Sequence, residues 1–164
     1  MTVDVVATER ERERLRALYL VEPARRAPST ARGVHHIALM CGDVERTIRF
    51  YQGLLGFPLV EIFENRDYRG STHLFFDIGL DNSLAFFDFP GLDLGPYAEV
   101  LGGLHHIALS VDQAVWDAAR AKLEAAGVEY HIDSGISMYF SDPDGVRLEL
   151  IAEELGSLYG TPLH

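Results

Sequence analysis

The sequence lacks two features that would place it outside a reducing, aqueous compartment. Its only cysteine is Cys41, so no disulfide framework can form within the chain. Its apolar runs, such as the one over 84–89, are far shorter than the roughly 20 residues that a membrane span requires. Residues 1–14 contain no apolar signal-peptide core. These absences predict a cytoplasmic protein that does not bind membranes.

Positive charge is also scarce. The chain has 14 basic residues against 25 acidic ones and a formal net charge of −11. Because a nucleic-acid interface must neutralise phosphates, this balance disfavours a nucleic-acid partner. Hydrophobic residues make up 48% of the chain, which is enough to fill the core of one ordinary domain or of two small ones.

One phrase occurs twice in the chain. Residues 33–39 read GVHHIAL and residues 103–109 read GLHHIAL. In each copy a helical pattern follows the phrase, and three β-rich segments follow the helix. We therefore expect an α+β fold of two tandem βαβββ modules, the first over 33–102 and the second over 103–152, with a tail over 153–164. Units that each bury one sheet face are expected to join their sheets.

The helix of each module has recognisable ends. Asp43 can cap the first helix and Asp112 the second, because a carboxylate at this position accepts hydrogen bonds from the free backbone N–H groups. Gly56 and Gly127 follow the two helical patterns and can end them. The spacing thus predicts one helix between the first and second strands of each module.

Residues 1–32 precede the repeat and are predicted to form an arm. Residues 9–20 mix charges at helical spacing and place Leu15, Leu18 and Tyr19 on one side, which favours a short amphipathic helix. A linker rich in Pro and Arg follows. The arm can be interpreted as a clasp on a partner subunit or as a loosely ordered terminus.

Strand alternation separates the two histidines of each pair. In the first copy Ile37 and Leu39 share a face with His35, whereas His36 lies on the other face. The face that carries Ile and Leu should pack against the helix, so His36 is expected to face away from it. The same alternation selects His106 in the second copy.

The last strand adds a carboxylate by the same rule. Leu148 and Leu150 mark its helix-facing row, so Glu149 lies on the opposite face. A carboxylate inside a closed sheet is costly unless it is paired or bound to a metal. Two histidines and a carboxylate form the ligand set of a divalent transition metal with open coordination positions, which predicts a metal site of His36, His106 and Glu149.

Three segments resemble the vicinal oxygen chelate superfamily, which includes glyoxalases, bleomycin resistance proteins and extradiol dioxygenases. They are the doubled HHIAL, the helix DVERTIRFYQGLLGF and the closing SMYFSDPDGVRLEL, and the resemblance extends over 33–152. It implies an eight-stranded, cup-shaped mixed sheet around a metal, with ligands at His36, His106 and Glu149. The habit of the family and the spare arm predict a homodimer. Whether one chain forms each cup, or two chains exchange modules, stays open at this point.

The resemblance also implies the surroundings of the metal. Some members have a fourth ligand in the first module, where alignment of the two closing segments puts Phe86. A three-ligand triad favours Fe(II), with Mn, Ni, Co or Zn as alternatives. Extradiol members have an acid/base histidine at the position of Asn82, which can hydrogen-bond but cannot exchange a proton near neutral pH. Phe86 and Asn82 are predicted to contact the substrate.

Alternation directs three more polar residues toward the cup. His73 could replace the missing acid/base histidine, and Tyr139 could donate a hydrogen bond to a substrate oxygen, so both are predicted to be catalytic. Arg147 is predicted to bind a substrate carboxylate. Each has a structural alternative: a hydrogen-bonded histidine, a wall of the cup, and an ion pair with Glu129.

Three function classes follow. The leading one is a metal-dependent enzyme of the extradiol dioxygenase type that acts on a small, aromatic substrate with vicinal oxygens. The first alternative is a redox-neutral isomerase, epimerase or lyase in which His73 moves a proton. The second alternative is a drug-sequestering binding protein of the bleomycin resistance type, which the intact triad disfavours.

Overall fold

A computed structural model describes residues 4–163 of the chain and confirms the two βαβββ modules. The arm contains helix α1 (Val5–Tyr19) and a single 3-10 turn (Pro23–Arg25). The first module consists of β1 (His36–Met40), α2 (Val44–Ile48), a π-helical segment (Arg49–Leu55), β2 (Leu59–Glu64), β3 (Thr72–Asp77) and β4 (Ser83–Phe87). The second module consists of β5 (Ile107–Ser110), α3 (Gln113–Ala126), β6 (Tyr130–Asp133), β7 (Ser137–Ser141) and β8 (Arg147–Ile151).

The helix ends follow from local chemistry. The Asp43 carboxylate accepts a hydrogen bond from the Arg46 backbone N–H, as an N-cap should. Asp112 occupies the equivalent position without such a bond. Gly56 and Gly127 end their helices in the left-handed conformation, which glycine adopts without steric cost.

The eight module strands lie in two mixed four-stranded sheets, with strand orders β1-β4-β3-β2 and β5-β8-β7-β6. In each sheet the first and last strands of the module pair in parallel, and the remaining pairs are antiparallel. Within the described chain the two sheets do not pair into one closed barrel. The predicted module architecture is thus present, divided into two separate sheets.

One hydrophobic core serves both modules. It is built from the helix-facing rows of both sheets and from the inner sides of the helices, with Leu74, Leu84, Leu123, Met138 and Leu148 fully buried. The π-helical segment packs against α3, which brings the two modules together on their helical sides. The opposite faces of the two sheets therefore lie outside this core.

A buried hydrogen bond fastens the first module to the second. The Tyr51 hydroxyl donates to Asp142 Oδ2 at 2.9 Å, and the other carboxylate oxygen accepts from the backbone N–H groups of Asp144 and Val146. Burial raises the pKa of both Tyr51 and Asp142. At the rim of the contact, Arg46 pairs with Asp144 at 2.5 Å.

The secondary structure at both ends of the chain extends further than the sequence predicts. Helix α1 begins four residues earlier than predicted, at Val5, and none of its residues is buried. The linker is anchored by Arg26, which donates to the carbonyl oxygens of Val21 and Leu163. The tail, for which no strand was predicted, forms a small hairpin of β9 (Ser157–Leu158) and β10 (Thr161–Pro162).

None of the helices in residues 4–163 is long and apolar enough to cross a membrane.

Tyr51→Phe tests the fastening between the modules. The substitution leaves Asp142 Oδ2 buried without its hydroxyl donor, so we expect the free energy of unfolding to fall by about 1–3 kcal/mol in urea titrations at pH 7. Tyr19→Phe is the matched control, because Tyr19 is 75% exposed on α1. Equal urea midpoints for Tyr51→Phe and wild type would contradict the assignment.

Candidate metal centre

The two repeated histidines lie on the sheet faces that point away from the shared core. His36 shares its face with Ala38 and Met40, and the exposed fraction of Met40 is 58%. In the second sheet Ala108 and Ser110 are exposed while Ile107 and Leu109 are buried. The alternation predicted for both copies is therefore present, and we call these two surfaces the first and second ligand faces.

The structure brings two of the three predicted ligands together. His106 Nε2 lies 3.1 Å from Glu149 Oε2, and the Glu149 side chain is 5% exposed. Glu149 pairs in register with Ala108 on one side and with Tyr139 on the other. A buried carboxylate needs compensating partners, and here its neighbours are an imidazole nitrogen and the Tyr139 hydroxyl.

His36 lies on the other sheet and does not join this pair. Its ring contacts His35 and meets Phe75 edge-to-face at 6.1 Å. Within residues 4–163 no group of three His, Cys, Asp or Glu side chains is arranged to hold a metal ion. The predicted donors of a single chain therefore fall into two groups, which we call the half-sites: His36 on the first ligand face, and His106 with Glu149 on the second.

Each histidine predicted as a ligand contacts the histidine that precedes it. The Nδ1 atoms of His35 and His36 are 2.9 Å apart, and those of His105 and His106 are 2.6 Å apart. Because Nδ1 is engaged in this way, Nε2 is the ring nitrogen of His36 and of His106 that lies outside the pair. In each module the doubled HH thus places one predicted ligand in contact with a second imidazole.

Aromatic side chains cover the first ligand face beside His36. Phe87 stacks on His73 with ring centroids 3.8 Å apart, Phe75 lies 4.2 Å from the same ring, and Phe63 stacks on Phe75 at 5.9 Å. The exposed fraction of Phe63 is 41%. This surface, which we call the aromatic wall, can stack on a flat substrate.

His73 sits within the aromatic wall. Its Nε2 atom is buried and has no hydrogen-bond partner among the described residues. Burial lowers the pKa of His73, and the charges of His36 and Arg66 lower it further. The imidazole is therefore held neutral, with a ring nitrogen free to accept or donate a proton when a ligand reaches it.

Tyr139 lies on the second ligand face, as alternation predicted. Its ring meets His106 edge-to-face at 5.7 Å. Burial, the hydrogen bond to Glu149 and the charge of Glu149 raise the pKa of Tyr139 to about 12. The phenol is thus a hydrogen-bond donor at neutral pH, directed at the carboxylate that would bind the metal.

Arg147 also lies on the second ligand face, two residues before Glu149. It pairs with Glu99 at 2.6 Å, not with Glu129 as one alternative had it, and approaches His105 Nε2 at 3.2 Å. Its side chain is 41% exposed. Arg147 borders an open cavity of about 430 Å³ that is also lined by His105, His131, Asp133 and Tyr139.

The placement of Phe86 is a correction. Alignment of the two closing segments places Phe86 at the position of Glu149, but Phe86 is fully buried and pairs with Leu39 and Leu74 on the core side. The residue at the register of Glu149 is Ala85, which pairs with Ala38 as Glu149 pairs with Ala108. Phe86 is therefore a core residue that does not face the site.

The cause of this error is a one-residue shift between the two turns. The alignment of the closing segments matches Asp81 with Asp144. In the structure Asp77 pairs with Ser83 in the first module, and Ser141 pairs with Arg147 in the second, so the two turns have equal lengths. Equal turns match Asp81 with Gly145 instead. The expectation that the first module supplies no carboxylate here is unaffected, because alanine offers no ligand either.

Asn82 belongs to a turn. Its Nδ2 donates to the carbonyl oxygens of Gly79 and Leu80, which stabilises the reversal between β3 and β4. The residue borders an open cavity of about 970 Å³ between the linker, this turn and β5. Its amide N–H groups are thus committed to the backbone, and only the amide oxygen remains to contact a ligand.

Three residues beside the second half-site escaped the sequence prediction. His131 pairs in register with Tyr139, so it lies on the second ligand face, and Asp133 lines the same cavity. Alternation along β6 could have selected both. Glu99 comes from the segment between β4 and β5, which contains no helix or strand. No periodic sequence pattern there indicates the direction of a side chain.

His73→Phe tests the neutral histidine in the aromatic wall. Because the pKa of His73 is lowered in the folded chain, the unfolded chain takes up a proton first as the pH falls, and stability is lost below the unfolded pKa. We expect wild type to lose more unfolding free energy than His73→Phe between pH 8 and pH 5.5. His131→Gln is the control for the loss of one histidine. Parallel pH profiles of wild type and His73→Phe would contradict the assignment.

Comparison with known proteins gives relatives along both modules. The family model described as the Glyoxalase/Bleomycin resistance protein/Dioxygenase superfamily matches residues 33–150. Lactoylglutathione lyase from Salmonella typhimurium is 32% identical over 122 residues, which are 71% of this chain and 89% of that protein. The protein named ring-cleaving dioxygenase MhqA, from Bacillus subtilis, is 30% identical over 141 residues, which are 80% of this chain. This chain spans only 43% of the length of MhqA.

A solved structure shares the fold and contains a metal. The crystal structure of a mutant fosfomycin resistance protein FosX from Listeria monocytogenes, complexed with Mn(II) and 1S,2S-dihydroxypropylphosphonic acid, is 25% identical with a TM-score of 0.56. The match covers 76% of this chain and 94% of that chain.

Proposed function

The chain belongs to the glyoxalase/bleomycin resistance protein/dioxygenase superfamily, and from this membership we propose that it is a metal-dependent enzyme of the extradiol dioxygenase type. Its substrate is a small aromatic molecule with vicinal oxygens. The observation that carries the proposal is the combination of a donor set of two histidines and one carboxylate with the aromatic wall beside His36. The relative named as a ring-cleaving dioxygenase supports it.

The residues fit a divalent transition metal. His106 and Glu149 already lie 3.1 Å apart with the carboxylate buried, and His36 offers a third donor whose Nδ1 is held by His35. Three donors leave coordination positions open, and Fe(II) is the metal that this donor set favours for oxygen chemistry. Mn, Ni, Co and Zn suit the same donors, and the FosX relative contains Mn(II). A bound metal would supply Lewis-acid chemistry and, as Fe(II), electron transfer.

The chain's own residues would bind and orient the substrate. The aromatic wall stacks on the substrate ring, and Tyr139 donates a hydrogen bond to a substrate oxygen. Neutral His73 accepts the proton that a substrate hydroxyl releases, a role that the turn residue Asn82 does not perform. Arg147 can bind an acidic substituent at the cavity beside Tyr139.

We further propose that the centre is completed in a homodimer, where the first ligand face of one copy meets the second ligand face of the other. A single chain keeps His36 apart from His106 and Glu149. Apolar residues such as Met40 and Phe63 are exposed on the first ligand face, and burying them would favour association. Helix α1, which buries no residue in its own chain, offers additional contact area.

A redox-neutral reaction is the second candidate. The match to lactoylglutathione lyase extends over 89% of that protein, against 43% of the dioxygenase. Such a reaction needs a base that moves a proton, and neutral His73 could be that base. A bound metal would supply Lewis-acid chemistry beside it. The two candidates differ in their requirement for dioxygen.

Metal analysis and oxygen uptake separate the candidates. Protein purified without a metal-chelating tag, reconstituted anaerobically with Fe(II), is expected to hold one iron per chain and to consume oxygen with a panel of catechols. His106→Ala should lose both properties, whereas His131→Ala, which removes a histidine outside the donor set, should keep the iron. Stoichiometric metal without oxygen uptake would instead support the redox-neutral reaction, and failure to bind any metal would support a binding protein.

Light scattering at micromolar concentration tests the homodimer. We expect a mass of twice 18.3 kDa for wild type, and Met40→Glu is expected to shift it toward the monomer by placing a charge on the first ligand face. Val5→Glu places the same charge on α1, where Val5 is 68% exposed. Its mass shows whether the arm also contributes contacts to the dimer. A monomeric wild type would remove the proposal of a shared centre.

A further inference from the structure

A continuous chain of polar contacts runs from the segment between the modules to the second half-site. Glu99 Oε1 lies 2.6 Å from Arg147 Nη2, and Arg147 Nη1 lies 3.2 Å from His105 Nε2. His105 Nδ1 is 2.6 Å from His106 Nδ1, and His106 Nε2 is 3.1 Å from Glu149 Oε2. Both ring nitrogens of His105 are engaged, so its contact with Arg147 constrains its contact with His106.

The contact between Arg147 and His105 sets the direction of the hydrogen bonds that follow it. A guanidinium can only donate, so His105 Nε2 must accept and the ring hydrogen of His105 lies on Nδ1. His105 Nδ1–H then donates to His106 Nδ1, which leaves the ring hydrogen of His106 on Nε2. Glu149 Oε2 lies 3.1 Å from this nitrogen. Both hydrogen bonds thus run from Arg147 toward His106.

A metal at His106 needs the opposite direction. A metal binds the lone pair of Nε2, so the ring hydrogen of His106 must lie on Nδ1 and donate to His105 Nδ1. The ring hydrogen of His105 would then lie on Nε2, directly against an Arg147 N–H. Two donors do not share such a contact, so Arg147 and a metal at His106 favour opposite tautomers of the histidine pair.

We infer that Arg147 is a positioning residue that holds the His105 and His106 pair in the metal-free tautomer, and that its contact with His105 breaks when a metal binds. The inference rests on the proposed metal centre. Glu99 holds the guanidinium in place for this role. On release, Arg147 still faces the cavity of about 430 Å³ beside Tyr139, where an acidic substrate group can bind it.

The first module provides an internal comparison. His35 and His36 repeat the contact between Nδ1 atoms at 2.9 Å. Within residues 4–163 the structure records no arginine at His35 that corresponds to Arg147 at His105. The first pair can therefore adopt the metal-binding tautomer without breaking such a contact, and only the second half-site carries the constraint.

Nitrogen NMR on the metal-free full-length chain tests the tautomer directly. In 15N-histidine-labelled protein, long-range proton–nitrogen spectra report which ring nitrogen carries the hydrogen. We expect Nδ1–H at His105 and Nε2–H at His106 in wild type. Arg147→Lys, which keeps a donor, should retain this pattern, and Arg147→Gln should populate the opposite tautomer. Wild-type His105 with its hydrogen on Nε2 would overturn the inference.

Metal titration provides the second readout. With Mn(II) or Zn(II) alone as the probe, Arg147→Gln should bind about tenfold more tightly than wild type, the scale on which groups behind a metal ligand act. Arg147→Lys should bind like wild type, and so should Arg120→Gln, which removes an exposed arginine paired with Glu124. Equal or weaker binding by Arg147→Gln would overturn the inference.

The two readouts separate this inference from the proposed function. If no form of the protein binds a metal, the proposed function fails, and the spectra of the metal-free chain still decide the direction of the hydrogen bonds. If wild type binds a metal but its His105 carries the hydrogen on Nε2, the proposed function stands and the role of Arg147 is wrong.

Discussion

The shared hydrophobic core determines where the chemistry of this protein can take place. Both sheets turn their Leu, Ile and Phe rows toward this core, which the helices and the π-helical segment complete. The buried bond between Tyr51 and Asp142 fastens the modules in this arrangement. As a consequence the histidines of both copies lie on outward faces, and the donor set is divided within one chain.

The division explains features that would otherwise be costly. Burying Glu149 is tolerated because polar groups lie beside its carboxylate, namely His106 Nε2 at 3.1 Å and the Tyr139 hydroxyl. An exposed aromatic wall is a liability for a solitary chain, and the partner surface of the proposed dimer would cover it. The half-sites are also chemically different: the first is aromatic, and the second carries the carboxylate, the phenol and the arginine.

Period-two alternation predicted most of the site, because each strand is half buried and has one polar face. It assigned His36, Glu149, Tyr139 and Arg147 to their faces, and the strand pairing bears this out for Glu149 and Tyr139. It failed for Phe86, because matching two aspartates shifted one turn by a residue, and a one-residue slip moves a side chain to the other face. Contacts between distant segments, such as Glu99 with Arg147, leave no periodic signal and need the folded chain.

The most direct test of the shared centre is metal binding by a mixed dimer. His36→Ala removes the donor of the first ligand face, and Glu149→Ala removes the carboxylate of the second, so neither variant alone should bind a metal tightly. When the two variants are coexpressed and the heterodimer is isolated, one centre regains all three donors. The account predicts one metal ion per two chains in this heterodimer. A heterodimer without metal, beside a wild-type dimer that binds it, would contradict the account and assign each centre to the modules of a single chain.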